Sequence, residues 1–216
     1  MINYYWDKFY KKKLKISKPS SFAKFVFNYL KKNKSIIDIG CGNGRDSFFF
    51  NKKNLDVIGI EKSKTAIDNN NEIIFQKKLK NISFKNIDIN SDKFNKTKKF
   101  DFIYSRFFIH AIPKKTENKL LKDIKRISKK NSLIFFEFRT TKDPLYKEGK
   151  KLSKFERYTD HYRMFINFDK FIDDLKKNKN FIIIYKIEKK GLAKYGTDNP
   201  VVGRVILKIN EKSKKK

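Results

Sequence analysis

Cysteine and long apolar runs are what this sequence most clearly lacks. Cys41 is the only cysteine among 216 residues, which excludes an internal disulfide. No run of 18 apolar residues is present, so we expect no membrane span. The first residues, MINYYWDKFYKKK, contain no apolar segment of the kind found in signal peptides, which favours a cytoplasmic protein. A chain of this length that is 39% apolar is expected to bury one sizeable core.

Acidic residues are also scarce, with 23 Asp and Glu against 54 Lys and Arg, and the formal net charge is +31. A surface this basic attracts nucleic acid in a salt-dependent way. However, only seven of the basic residues are Arg, and the lysines are scattered over every predicted helix. We interpret them mostly as solvated faces, so a nucleic-acid partner is left open but is not favoured.

Glycine is rare as well, yet three of the eight glycines fall in one short stretch. Residues 35–46 read SIIDIGCGNGRD, an apolar β-branched segment followed by Gly40, Gly42 and Gly44. The first part is typical of a buried parallel strand, and the glycines permit a tight turn against which a ligand can lie. A helix N-terminus follows, which is a favourable place for an anionic group. The stretch predicts a nucleotide-type site in which Cys41 is a small packing residue.

The glycine spacing excludes two common kinds of nucleotide site. It is not the Gly-x-Gly-x-x-Gly of dinucleotide folds, and no Gly-Lys-Ser/Thr follows to hold a triphosphate. A second predicted strand, residues 55–60, is followed by Glu61, whose carboxylate can accept hydrogen bonds from both hydroxyls of a ribose. A third strand, residues 82–89, ends near Asp88, and a fourth, residues 99–106, reads KFDFIYSR.

In this order, IIDIGCGNG, VIGIEKS, Asp88 and FDFIYSR resemble the motifs of class I S-adenosylmethionine-dependent methyltransferases, and the resemblance covers residues 6–209. It implies an α/β fold with a Rossmann-like, doubly wound sheet of seven strands in the order 3-2-1-4-5-7-6, with strand 7 antiparallel. The remaining strands are predicted at 132–138, 181–188 and 201–210. Helices are predicted at 22–32, 46–53, 63–74, 114–129 and 168–177.

We expect a single methyltransferase domain over residues 1–211. Within it, residues 1–32 are predicted to form a lid or cap, and residues 140–166 an insert that contacts the methyl acceptor. Residues 212–216, nearly all lysine, are predicted to be a disordered tail.

The resemblance also implies a set of residues that bind S-adenosylmethionine. Asp88 would accept a hydrogen bond from the adenine amino group, Ile89 would pack on the ring, and Arg45 would reach the cofactor carboxylate. Asp88 could instead only end a strand, the aromatic residues of the first segment could only cover the sheet edge, and Asp46 suits a helix dipole. The predicted cofactor residues are Trp6, Tyr10, Asp38, Gly40, Cys41, Gly42, Asn43, Arg45, Glu61, Lys62, Asp88, Ile89 and Ser105.

Methyl transfer from a sulfonium is an in-line displacement, so the main task of the protein is alignment, and no metal is required. A hydroxyl acceptor needs a general base, whereas an anionic acceptor needs only positive donors. The predicted catalytic residues are Arg106, His110 and His161, and the predicted acceptor-binding residues are Arg139, Tyr162 and Arg163. The alternative for each histidine is a structural role with a satisfied hydrogen bond.

The nature of the acceptor is indicated by an absence and by several phrases. The Asn/Asp-Pro-Pro-Tyr tetrapeptide of base and amide N-methyltransferases is missing, since YSRF stands in its place, which disfavours base methylation. The phrases YSRFFIHAI, DHYRMFINF and GLAKYGTDNPVVGRVI resemble methyltransferases of bacterial surface-polysaccharide biosynthesis. This resemblance implies O-methylation of a sugar hydroxyl or phosphoryl group on a small-molecule or glycan acceptor. The alternatives are an RNA methyltransferase that uses the basic surface and a non-catalytic binding protein of the same fold.

Overall fold

The structure is a computed structural model that describes residues 2–11, 16, 18–96 and 98–210. Within these residues the chain forms helices and strands that alternate over most of its length. The helices are α1 (Ile2–Tyr10), α2 (Ser21–Phe27), α3 (Arg45–Lys52), α4 (Lys64–Lys77), α5 (Asp92–Asn95), α6 (Lys114–Ile127) and α7 (Phe168–Lys177). The strands are β1 (Ser35–Ile39), β2 (Asp56–Glu61), β3 (Ile82–Asn86), β4 (Phe100–Arg106), β5 (Ser128–Arg139), β6 (Lys150–Lys151), β7 (Glu156–Tyr158), β8 (Tyr162–Met164), β9 (Phe181–Lys190) and β10 (Val201–Ile209).

Seven of the strands form one sheet in the order β3-β2-β1-β4-β5-β10-β9. Strands β1 to β5 are parallel to their neighbours among themselves, and β10 runs antiparallel to both β5 and β9. Because β9 and β10 are the sixth and seventh strands of this sheet, the predicted order 3-2-1-4-5-7-6 and the antiparallel last strand are confirmed.

Apolar side chains cover both faces of the sheet, as expected for parallel strands that are buried on both sides. One row of neighbouring strand residues, Ile58, Ile37, Ile103, Ile134 and Leu207, lies on the face covered by α6 and α7. The alternate residues of the same strands pack against α2, α3 and α4 on the other face. The two cores explain the near-continuous apolar sequence of the strands, and they leave the strand ends free to build a site.

Several predicted boundaries are wrong. Helix α2 ends at Phe27 instead of residue 32, because 3-10-type hydrogen bonds from Tyr29 and Leu30 turn the chain towards β1. Strand β3 ends at Asn86 instead of residue 89, and β5 begins at Ser128, directly after α6, instead of residue 132. In each case the chain must change direction at a position that the apolar pattern does not mark.

The predicted insert, residues 140–166, is folded and does not form an open loop. It contains a 3-10 turn (Pro144–Lys147) and a small antiparallel sheet in the order β6-β7-β8. The guanidinium of Arg157, which is largely buried, donates to the backbone carbonyls of Tyr146, Ser153 and Glu156 and so fixes the shape of the insert. The predicted tail, residues 212–216, lies outside the described residues. In the part of the chain that the structure describes, no helix has the length and apolarity needed to cross a membrane.

Candidate active site

A cavity of about 400 Å³ lies at the carboxyl ends of β1, β2 and β4, under α1 and beside the loop between β9 and β10. Ligands of open α/β sheets bind at this edge, and the volume is within the usual range for small-molecule sites. The cavity brings together most of the predicted cofactor residues and one predicted catalytic residue. These are Trp6, Tyr10, Asp38, Gly40, Cys41, Gly42, Asn43, Arg45, Glu61, Lys62 and Arg106.

The glycine turn after β1 has the backbone conformation that its sequence predicts. Gly40 and Gly42 have φ angles of 74° and 51°, which side-chain-bearing residues rarely adopt. A Cβ atom on Gly40 would lie 2.3 Å from the ring of Phe108, and one on Gly42 would lie 2.3 Å from the hydroxyl of Tyr10. The turn therefore has no room for a side chain at Gly40 or Gly42, and its backbone forms one wall of the cavity.

Glu61 ends β2 with its carboxylate directed back at the glycine turn. Its Oε2 accepts from the backbone N–H of Gly42 at 3.3 Å, and its Oε1 accepts from the N–H groups of Lys62 and Ser63 at 2.8 and 3.0 Å. Burial raises the pKa of Glu61, and these three hydrogen bonds oppose that rise. A carboxylate has about four lone-pair sites and three are used here, so about one site, on Oε2, remains for a ribose hydroxyl.

Two buried carboxyl groups stand behind the turn. Asp38 accepts from the hydroxyl of Ser47 at 2.6 Å, and burial raises its pKa to about 8. Asp46 accepts from the backbone N–H and the hydroxyl of Ser20, both at 2.7 Å, and from the hydroxyl of Tyr104 at 2.7 Å. Asp46 thus joins the start of α3 to the start of α2, a structural role beyond the helix dipole.

Asp88 and Ile89 line an adjoining cavity of about 240 Å³ that shares Gly40, Glu61 and Lys62 with the first. The Lys62 ammonium lies 2.8 Å from the Asp88 carboxylate. Burial raises the pKa of Asp88, but the hydrogen bond and charge of Lys62 together with hydrogen bonds from Asn90 outweigh burial, and the pKa is lowered. The two cavities form a continuous groove along the ends of β1, β2 and β3.

Helix α1 covers the main cavity and is fixed to α4. The carboxylate of Asp7 accepts from the hydroxyl of Ser63 at 2.6 Å, and Asn69 donates to the backbone carbonyl of Tyr10 at 2.9 Å. Trp6 and Tyr10 point into the cavity wall, and burial raises the pKa of the Tyr10 phenol. The first segment therefore lies over the predicted cofactor residues, and its role as a lid stays a prediction.

The same helix contacts the insert through its other side. Tyr5 donates to Asp160 at 2.7 Å, and the ring of His161 lies 4.7 Å from that of Tyr5 and 5.0 Å from that of Trp6. Burial and the nearby Arg163 lower the pKa of His161, although Asp160 opposes them. His161 is therefore a packing partner of α1, and it does not line the main cavity.

Arg106 lies at the end of β4 in the cavity wall, and a buried carboxylate holds it. Its Nε donates to Glu137 at 2.8 Å, and its guanidinium lies 4.0 Å from the ring centre of Phe107. The second carboxylate oxygen of Glu137 accepts from Arg204 at 2.7 Å, and Arg204 also donates to the carbonyl of Leu192 at 2.8 Å. Burial lowers the pKa of Arg106, but Glu137, Tyr104 and Asp46 together outweigh burial and raise the pKa, so the group is a permanent cation.

Five predicted site residues besides His161 line neither cavity. Ser105 is buried and donates to the carbonyl of Ile39 at 3.2 Å, which is a structural role. His110 is buried, its Nδ1 accepts from the backbone N–H of Arg139 at 3.3 Å, and burial holds its pKa well below the usual range. The other three donate to carboxylates or to a threonine hydroxyl: Arg139 to Asp143 and Asp198, Tyr162 to Glu156, and Arg163 to Asp160 and Thr159.

Residues that the sequence reasoning missed complete the cavity wall. They come from α1, from the turn after β4 and from the loop between β9 and β10, and they are mostly aromatic or apolar. Beside them in the turn after β4 lies Phe107, whose φ of 55° is an unusual conformation for a bulky residue and one often found at functional sites. The phrase GLAKYGTDNP, rich in glycine and polar residues at the functional edge, was a signal for the last group. The missed residues are Phe9, Phe108, Ala111, Ile112, Ala193, Tyr195 and Asp198.

The fold and the groove together define a Rossmann-like protein with a glycine turn and an acidic residue placed for a nucleoside. Over residues 30–188 the chain matches the family model described as "Methyltransferase domain", and it belongs to this family. The predicted class of enzyme, an S-adenosylmethionine-dependent methyltransferase, and the predicted cofactor are confirmed at this level. No curated protein sequence matches the chain.

Solved structures share the fold. An S-adenosylmethionine-dependent methyltransferase from Methanosarcina mazei matches with a TM-score of 0.69 and 21% identity over 86% of this chain and 96% of the other. Another, from Clostridium acetobutylicum, matches with a TM-score of 0.69 and 13% identity over 88% and 91% of the two chains. Coclaurine N-methyltransferase bound to N-methylheliamine and SAH matches with a TM-score of 0.66 and 14% identity over 86% and 71%. Identities this low describe the fold and leave the acceptor open.

Proposed function

We propose that the chain transfers the methyl group of S-adenosylmethionine to a hydroxyl of a sugar, either free or within a glycan. The observation that carries this proposal is the wall formed by α1, the turn after β4 and the loop between β9 and β10. It combines the rings of Trp6, Phe107 and Tyr195 with one carboxylate, Asp198. The apolar face of a sugar packs well on aromatic rings, and sugar hydroxyls donate to a carboxylate.

The residues of the groove fit the cofactor. Glu61 would accept from a ribose hydroxyl, and Asp88 and Ile89 would contact the adenine. Arg45 and Asp38 carry opposite charges when ionised, which suits the carboxylate and the ammonium of an amino-acid group. When bound, S-adenosylmethionine supplies a methyl group on a positively charged sulfur, and the protein holds the acceptor in line with it.

A hydroxyl is a better acceptor for this wall than a phosphoryl group. A phosphoryl oxygen needs cations that are free to hold it. Arg139 and Arg163, which were predicted for this role, are already paired with carboxylates, and His110 is buried. Arg106 is the one predicted acceptor-side cation that lines the cavity, and its Nε is already paired with Glu137.

We place the reaction in surface-glycan biosynthesis on the strength of the local sequence phrases. Two of them, YSRFFIHAI and GLAKYGTDNP, supply Phe107 and Asp198 to the cavity wall. This assignment and the cytoplasmic location stay predictions.

The test is incubation of the protein with methyl-tritiated S-adenosylmethionine and an extract of the source cells, followed by fractionation of the label. We expect label in glycan, glycolipid or free sugar pools that resist nuclease. Label that nuclease removes would contradict the proposal and support the RNA methyltransferase. Cofactor binding with no labelled product would support a non-catalytic binding protein.

A further inference from the structure

Asp198 is the carboxylate in the cavity wall that no predicted cofactor role uses. Four carboxylates of the described residues line the cavity: Asp38, Asp46, Glu61 and Asp198. The first three are tied to the glycine turn or to α3 by the hydrogen bonds described above. Asp198 instead comes from the loop between β9 and β10, together with the wall residues Ala193 and Tyr195.

The loop that carries Asp198 is closed by its own backbone. Tyr195 N–H donates to the carbonyl of Asp198 at 2.8 Å, and Asp198 N–H donates to the carbonyl of Tyr195 at 3.0 Å. The side chain of Asn199 accepts from the N–H of Gly191 at 3.0 Å, which ties the two ends of the loop together. The carboxylate and the aromatic ring of this short turn are therefore presented to the cavity as a unit.

Arg139 holds Asp198 in place from behind. One guanidinium nitrogen of Arg139 donates to Oδ2 of Asp198, and another donates to both oxygens of Asp143, at 3.1 and 3.0 Å. Asp143 is fully buried and also accepts from the N–H groups of Leu145 and Val201, each at 3.0 Å. Asp198, in contrast, has 47% of its side chain exposed, and it lines the cavity.

The charges of this group select against an anion. One cation, Arg139, stands between two carboxylates, so the group carries a net charge of about −1 when all three are ionised. An anionic group that approached Asp198 would meet this negative charge at short range. A hydroxyl, in contrast, can donate its hydrogen to the exposed part of the carboxylate.

Building on the proposed function, we propose that Asp198 is the catalytic residue that binds the acceptor hydroxyl and takes its proton, and that the acceptor is neutral at the methylated position. The acceptor oxygen forms the new bond to the methyl carbon with its lone pair. The bond from that carbon to sulfur breaks, and its electron pair stays on sulfur, which becomes a neutral thioether. The hydroxyl proton passes to the carboxylate of Asp198, so charge and atoms balance. Arg139 and Asp143 are positioning residues for this carboxylate.

The first test measures binding, and it uses the single tryptophan of the chain, Trp6, as the reporter, because it lines the same cavity. Protein loaded with S-adenosylhomocysteine is titrated with neutral methyl hexopyranosides and with hexose phosphates while tryptophan fluorescence is recorded. We expect the neutral glycosides to bind at least tenfold more tightly than the phosphates. Asp198→Asn is expected to weaken glycoside binding about tenfold and to reduce the preference for glycosides over phosphates. Asp198→Glu is expected to retain most of the glycoside affinity.

The matched control is Asp173→Asn on α7, where an exposed carboxylate pairs with Lys176. This variant is expected to bind glycosides and phosphates as the unmodified protein does. With a glycoside that is methylated, Asp198→Asn is expected to lower turnover at least a hundredfold and to leave S-adenosylmethionine binding, measured by calorimetry, unchanged. Phosphates that bind more tightly than glycosides, an Asp198→Asn variant with unchanged glycoside binding, or no glycoside binding by cofactor-loaded protein would each overturn the assignment. An unmodified protein that does not bind S-adenosylmethionine in calorimetry would instead contradict the proposed function.

Discussion

The two halves of the cavity are built in different ways. The half that we assign to the cofactor comes from residues 38–62 and from the residues that follow β3, and it uses backbone groups of a glycine turn and carboxylates at or just beyond the strand ends. The half that we assign to the acceptor combines α1, the turn after β4 and the loop between β9 and β10, and it uses side chains. Its side-chain contacts connect residues far apart in sequence, as in the pairs Tyr5–Asp160 and Arg139–Asp198.

This difference has a chemical logic. A cofactor common to a whole class of enzymes can be held by backbone geometry, because every sequence has the same backbone groups. An acceptor must be distinguished from similar molecules, and side chains supply that discrimination. We therefore expect substitutions in the first half to act on cofactor binding or folding, and substitutions in the second half to act on acceptor binding.

The largest expected effect comes from a side chain in the backbone-built half. In Gly40→Ala, the new Cβ would overlap the ring of Phe108 at a positive φ, and we expect unfolding free energy to fall by about 2 to 4 kcal/mol. Gly196→Ala is the matched control, since its φ is also positive, at 57°, but no atom lies within 4 Å. It should cost only about 1 kcal/mol in urea unfolding. Equal losses in the two variants would show that the close approach of Phe108 is unimportant.

The next effect concerns pH and Asp38. Its folded-state pKa of about 8 exceeds the unfolded value of about 4, so between these values the folded state keeps a proton that the unfolded state has lost. This contribution to stability is complete below about pH 4 and declines as pH rises to about 8, by at most about 1.4 kcal/mol per pH unit. Urea unfolding at pH 5 and 7 should show up to about 3 kcal/mol of loss that Asp38→Asn lacks. A variant with the same pH slope as the parent would contradict burial as the cause.

A moderate effect is expected for Glu61. Glu61→Ala removes a charged hydrogen-bond acceptor, and we expect cofactor binding to weaken by about 2 kcal/mol, roughly thirtyfold. Glu72→Ala, on the exposed face of α4, removes the same charge from the same region and serves as control. Calorimetric titration with S-adenosylmethionine distinguishes the two. An unchanged affinity in Glu61→Ala would refute the ribose assignment.

The smallest effect tests the joint between the two halves. Tyr5→Phe removes the hydrogen bond from the Tyr5 phenol, whose pKa burial raises to about 12, to the carboxylate of Asp160. We expect the free energy of local opening of α1 to fall by about 0.5 to 1 kcal/mol. Because only the contact of α1 with the insert is lost, we expect faster hydrogen exchange in α1 and an unchanged global unfolding midpoint. Tyr158→Phe, on the exposed surface of the insert, is the control. Equal exchange rates in α1 for both variants would mean that this joint does not hold the helix.

The resemblance of the ordered motifs to a known family predicted the sheet order, and the glycines, the apolar strands and the acidic residue at the end of β2 indicated the local backbone structure directly. The sequence did not predict the side-chain pairs between residues that are distant in the chain. Arg139, Arg163 and His161 have the side chains that an acceptor site needs, but whether such a group is free or paired is decided by Asp198, Asp160 and α1. The loop at 191–200 supplied a sequence signal, but its place beside the cavity follows from the antiparallel pairing of β9 and β10.

The carboxylate of Glu137, which Arg106 and Arg204 share, constrains how this chain can evolve. Its two oxygens pair with Arg106, in the cavity wall, and with Arg204, whose guanidinium also holds the start of the loop at Leu192. Loss of the carboxylate alone would leave two mostly buried cations without compensation, a change that costs several kcal/mol. The three positions are therefore expected to evolve as a linked set. Among relatives that methylate other acceptors, Arg106 should be replaced only where Glu137 and Arg204 have changed with it.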